Sequence, residues 1–302
     1  MEEIIYRYLQ SQFKVDDDGI TLAQYNNLPA VFNMNAPDDK DENWNDGKSQ
    51  YPRIIFDLNM QADSERKISG QLFVDVMCEN NSNSVQPEEL ETIVHSTVDG
   101  CFFSTSELSI SAQWNTSNPF NEKDNKLSGI TLIFDVLAYP VQETSSPDPV
   151  LSVNLWLKTL NQSAYVIGRD VLPDVWKPTD DSPALYCRLT NLGDSNRMKS
   201  TAAVTWIGAD MHINVMAPSE QVRSTIVKNS VQILKNATRL MLDDGSPMLI
   251  DNVTSNVAAD PLREGQIHIK TTYGVLNEYT GTPIKHAYIG GMNAEREVKN
   301  DG

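Results

Sequence analysis

At 302 residues the chain exceeds the size at which one hydrophobic core usually stops growing, so two domains are expected. A hydrophobic content of 40% with 8% aromatics excludes a disordered chain. The net charge of −17 serves solubility and self-repulsion, or a surface that nucleic acid passes without sticking. No basic run is interleaved with aromatics, which excludes a module that grips DNA.

Met1, Ile4, Ile5, Tyr8, Leu9 and Phe13 recur at helical spacing and predict an amphipathic helix of about three turns. The acidic start lacks the basic character of a secretory signal, and no apolar run approaches the ~18 residues of a membrane span. The chain is therefore expected to be soluble, to stay in the cell that makes it, and to carry no glycan on its Asn-x-Ser/Thr triplets. Asp16-Asp17-Asp18-Gly19 reads as a turn, since a calcium loop needs alternating ligands and a later bidentate Glu.

An extended segment with a proline, residues 28–32, leads into a polar loop at 35–50. That loop is long for a compact domain, and such loops are often binding elements. It holds the candidate interaction residues Asp38, Asp39, Asp41, Glu42 and Trp44, for which a solvated or partner-facing role outweighs a metal or acid/base role. Next comes Tyr51-Pro52-Arg53-Ile54-Ile55-Phe56-Asp57-Leu58-Asn59, a strand of β-branched and aromatic residues opened by a proline. A strand at 68–77 alternates Leu72, Val74 and Val76 with Phe73, Asp75 and Met77.

Pro87 with Glu88, Glu89 and Glu91 starts a helix of about four turns, whose apolar stripe runs from Leu90 to Phe102. Strands are expected at 108–114 and 127–137, with an Asn-rich loop between them. Three prolines and small polar residues at 140–149 then mark a linker.

The second half repeats this order. Val150, Val153, Trp156, Leu157 and Leu160 form a helix, Pro183 opens a strand ending in Leu189-Thr190-Asn191, and 202–215 extends next. A long helix follows Pro218-Ser219, and strands at 248–253 and 265–276 close the half. Each half thus reads helix, strand, strand, helix, strand, strand, a repeat of pattern rather than identity. The predicted class is α+β, with two similar domains in tandem, each a small, mostly antiparallel sheet packed by two helices. Residues 1–140 form the first domain, 141–149 the linker, 150–278 the second domain and 279–302 a mobile or partner-bound tail, whose Tyr279 and Tyr288 are further candidate interaction residues.

The chemistry of a catalytic site is not visible. His95, His212, His268 and His286 are isolated, and no His-x-x-x-His, Cys-x-x-Cys, Gly-x-Ser-x-Gly or phosphate-loop spacing occurs. Cys78, Cys101 and Cys187 sit in apolar stretches and read as buried free thiols. No catalytic residue, metal or cofactor is assigned, and an assembly component is favoured, in which function lives in subunit interfaces.

The N-terminal helix, Leu28-Pro29-Ala30-Val31-Phe32, the polar loop and Tyr51-Pro52-Arg53-Ile54-Ile55 together resemble the tail terminator (tail completion) proteins of tailed bacteriophages. The resemblance covers the first half, and the second in element order. It implies a homo-oligomeric ring of six subunits, or of three chains with duplicated domains, that caps the tail tube and joins it to the neck or connector. Such a protein would be part of the virion, assembled in the bacterial cytoplasm, with DNA passing through its ring and no membrane contact. The alternatives are another neck or baseplate ring component and, in a different class, a cytoplasmic hydrolase with an unrecognised site.

Overall fold

The computed structural model describes residues 1–13, 21–44, 50–61, 69–80, 85–122, 126–142 and 145–277. The turn at 16–19, Tyr279, Tyr288 and the tail lie outside the described residues. The fold is α+β, with two sheets in tandem.

The first half runs α1 (Glu2–Ser11), the hairpin β1 (Gln24–Tyr25) and β2 (Leu28–Pro29), β3 (Val31–Asn33), β4 (Arg53–Met60), β5 (Gly70–Glu79), α2 (Pro87–Val98), β6 (Phe102–Ser104), β7 (Leu108–Glu122) and β8 (Leu127–Pro140). The second runs α3 (Pro149–Leu160), β9 (Tyr165–Ile167), β10 (Val175–Trp176), β11 (Ala184–Asp194), β12 (Val204–Met216), α4 (Glu220–Ala237), β13 (Arg239–Met241), β14 (Pro247–Ser255) and β15 (Ile267–Leu276).

Local chemistry sets the helix ends. Pro149 occupies the first turn of α3, where the Asp148 carboxylate accepts from the Val150 and Leu151 amides at 2.8 and 3.1 Å. The apolar stripe of α2 continues in sequence to Phe102, but the helix stops at Val98. Gly100 turns the chain at φ 73°, and Phe102 starts a strand instead.

The first sheet has the order β10-β6-β7-β8-β5-β4-β3, and the second β13-β14-β15-β12-β11-β9. Apart from the added β10, the two orders match strand for strand. The β3–β4 and β9–β11 pairs are parallel and every other pair is antiparallel. The registers match as well. The row Val31–Ile54–Val76 in the first sheet corresponds to Val166–Leu185–Val215 in the second, and Phe103–Ile110 to Leu240–Met248. All ten of these side chains are buried.

In each half both helices cover the same face of the sheet. Ile5 and Leu9 of α1 and Leu90, Val94 and Val98 of α2 close one core, while Val150, Val153 and Leu157 of α3 and Val227 and Leu234 of α4 close the other. Strand β5 alternates buried and half-buried along its whole length, the period-2 signature of a sheet packed on one side.

Two expectations about elements change. Short strands β3, β6, β9 and β13 flank the long ones; at three residues each they carry no periodic signal. The Asn-rich stretch expected as a loop is strand: β7 continues past a bulge between Trp114 and Thr116 and pairs with β8 as far as Glu122–Leu127. Beyond the bulge no strand among the described residues flanks its outer edge, so polar residues and Pro119 are tolerated there. Phe120 lies over Gly129, where a Cβ would come within 2.3 Å of its ring.

A third cluster joins the halves. Phe102, Leu137 and Tyr139 from the outer face of the first sheet pack against Ile167, Trp176, Ala184, Tyr186 and Met216 of the second half. Strand β10 leaves its own half and pairs with β6, placing Trp176 opposite Phe102. The Trp176 and Phe102 rings stack at 4.7 Å, and the Trp176 indole N–H donates to Ser104 Oγ at 3.0 Å. The Tyr139 hydroxyl donates to the Leu262 carbonyl at 3.1 Å and that of Tyr186 to the Pro140 carbonyl at 3.0 Å.

The connection at 141–149 is tied to the second half. The Leu189 amide donates to Gln142 Oε1, Ser145 Oγ lies 3.0 Å from the Tyr273 hydroxyl, and the Asp148 amide donates to Asp243. Because Trp176 is only 8% exposed and belongs to the seam, Trp176→Ala is expected to lower unfolding stability by about 3 kcal/mol or more. Denaturant titration checks this, and a loss under about 1 kcal/mol would contradict the energetic role of the seam.

Candidate interaction site

The sequence places its candidates in the loop between β3 and β4. Folding that loop requires a partner for Trp44, and the N-terminal hairpin supplies one. Tyr25 forms an isolated antiparallel bridge with Trp44, and the rings of Tyr25, Phe32 and Trp44 meet edge to face at 5.1–5.7 Å. Trp44 is 5% exposed, and its indole N–H donates to the Asp38 carbonyl at 3.0 Å. Its role in the monomer is therefore to pack the loop.

The acidic side chains divide. Asp41 accepts from the Asn43 backbone amide at 2.9 Å and from the Tyr25 hydroxyl at 3.3 Å, and the amide bond above all holds its carboxyl below the ordinary range. Asp39 pairs with Arg53 at 2.9 Å, while the Arg53 guanidinium sits 4.4 Å above the Tyr51 ring. Asp38 and Glu42 are exposed. Residues 38–44 thus form an acidic segment at the outer edge of the first sheet.

In the second half the equivalent loop, between β9 and β11, contains β10 and Trp176. The two tryptophans share a place in the topology. One is covered by a neighbouring half and the other by its own chain's hairpin.

The outer face of the second sheet carries a different cluster. His212 and His268 are directly opposite on β12 and β15, and their rings stack at 3.7 Å with 10° between planes. Lys270 reaches Asp210 at 3.5 Å beside them, and Arg188 lies across from His212 on β11. Burial first, then the His268 and Arg188 charges, lower the proton affinity of His212; contact with the Glu264 carbonyl and the Asp210 charge oppose this more weakly. Histidines that look isolated in sequence become neighbours only through strand register, which no local pattern encodes.

Between the halves a cleft of about 350 Å³ is lined by Gly100, Phe102, Lys177, Met216, Arg223 and Leu262. Its cations are already engaged: Lys177 donates to the Ser96 carbonyl and Arg223 to those of Ala217 and Pro218. Cys78, Cys101 and Cys187 are buried free thiols. Burial and the nearby Glu88 and Glu89 push the Cys78 thiol up to about 12, and burial also raises Cys101 and Cys187, so none is poised as a thiolate nucleophile at neutral pH. Among the described residues no three His, Cys, Asp or Glu side chains lie close enough to hold a metal ion.

No protein-family model matches the chain, and no curated protein does. Among the described residues, no helix is long and apolar enough to cross a membrane.

The stacked histidines give a pH prediction with a defined sign. Folding lowers the proton affinity of His212, so the unfolded chain binds more protons just below its ordinary value of about 6.5. Stability is full above that pH and falls as acid titrates the unfolded imidazole. Denaturant midpoints are expected to drop from pH 7.5 to 5.5 in the native chain and to drop less in His212→Gln; identical pH profiles for the two would remove the pair from the account.

Proposed function

We propose that this chain is a structural subunit of a tailed-bacteriophage virion, forming a ring at the head-proximal end of the tail tube. There it ends tail polymerisation and joins the tube to the neck. The reading takes its assembly logic from the structure and its place in the virion from the resemblance of the first half to tail terminator proteins.

The observation that carries the reading is the docking of two halves of like topology and register through two different surfaces. Such a contact is heterologous, and heterologous contacts between like units build rings when the rotation closes. The matching registers support an internal duplication, in which each half is an α+β unit of one sheet and two helices. Three chains would then present six units, and six chains twelve.

Charge fits the role. With −17 per chain, an assembled ring repels a phosphate backbone, so DNA slides through rather than adheres. The proposed place is the virion, after assembly in the bacterial cytoplasm, with tube and neck proteins as partners.

Light scattering on purified protein, alone and with purified tail tubes, tests the reading. A mass of three or six chains, or a monomer that assembles only on tubes, is the expected outcome, and electron micrographs should show rings at one tube end. A monomer in both conditions would overturn it. The same preparation is expected to leave duplex DNA unshifted in a gel at physiological salt.

A further inference from the structure

Within the chain the second half docks head to tail on the first. It uses the 174–176 segment with Ile167, Tyr186 and Met216, whereas the first half offers the β6 edge with Leu137 and Tyr139. Register gives each of these surfaces a counterpart that no other half covers among the described residues, although Tyr25 and Trp44 pack on Phe32 and Ser195 lies on Thr272, the counterpart of Leu137. On the first sheet Phe32, Ile55 and Met77 stand where Ile167, Tyr186 and Met216 stand on the second. They are half-buried where their counterparts are at most 3% exposed.

On the second sheet Arg239 and Met241 stand where Phe102 and Ser104 stand on the first. Both are exposed, Met241 at 55%, and among the described residues β13 pairs only with β14. Gly274 holds the position of Tyr139, and the Trp206 ring lies over it, restoring an aromatic surface.

The two surfaces expose residues of opposite charge, with Lys40 also exposed on the loop and Asp243 and Asp244 in the turn after β13. The loop equivalent to the 174–176 segment carries Asp38, Asp39 and Glu42, all exposed. Arg239 makes no ion pair among the described residues, and Lys235 lies in the last turn of α4. Opposed charges of this kind set register and encounter rate.

We propose that a second copy of this chain docks its acidic loop and its Phe32–Ile55–Met77 face against the exposed β13 edge of the copy before it. The contact repeats between chains the junction that joins the halves within one. Because Tyr25 already covers Trp44, the carboxylates and the sheet face carry the contact rather than the indole. The inference rests on the self-assembly part of the function proposed above and not on the tail.

Charge reversal tests it at exposed positions. Arg239→Glu alone, and Asp38→Lys with Glu42→Lys, are each expected to weaken self-association at least about tenfold by light scattering, in the presence of tubes if tubes are needed. The chain carrying all three changes is expected to reassemble, and Met241→Asn to weaken assembly without touching charge. Assembly that ignores both reversals, or a combined chain no better than either parent, overturns this contact alone. A native chain that never assembles overturns it together with the ring.

Discussion

The architecture depends on Trp176 being buried outside its own half. Strand β10 can leave the second sheet because the Phe102 ring and the Ser104 hydroxyl of the first half satisfy the indole's apolar face and its N–H together. A buried indole without a hydrogen-bond acceptor is costly, and an exposed one gains nothing from burial. That single placement fixes which edge of the first sheet meets which loop of the second. The hydroxyls of Tyr139 and Tyr186, each donating to a carbonyl across the seam, follow from it.

Each sheet consequently has two unlike faces. One is covered by helices and filled with aliphatic side chains at matched positions, which makes each half a folded unit with its own core. The other is shared among a seam, an acidic loop and a polar field of histidine, aspartate and lysine. The outer faces differ in chemistry: Phe73 and Ile133 of the first sheet occupy the positions of His212 and His268 in the second. Substitution there changes what a half can meet without disturbing what holds it together.

Much of this could be read from residues alone. The strand after Tyr51-Pro52, the helix started by Pro87 and its glutamates, and the repeated order of elements all follow from periodicity and end chemistry. The agreement of register between halves could not be read, because residues at equivalent core positions differ: Phe56 corresponds to Cys187 and Val136 to Thr271. Residues 115–122 were misleading because an edge strand wet on both sides has the composition of a loop. The acidic loop was legible as a long polar loop, but Trp44 within it was not legible as packing, since its partner Tyr25 lies in a two-residue strand.

The hairpin Gln24–Pro29 has no equivalent in the second half, where only four residues, 161–164, separate α3 from β9. The pseudosymmetry of the chain is therefore broken here as well as at β10. Any closed assembly of these chains carries half as many hairpins as sheets, so its rim alternates between two kinds of position. Such a rim has two rotational orders at once, one counted by sheets and one by hairpins, and can seat neighbours of either.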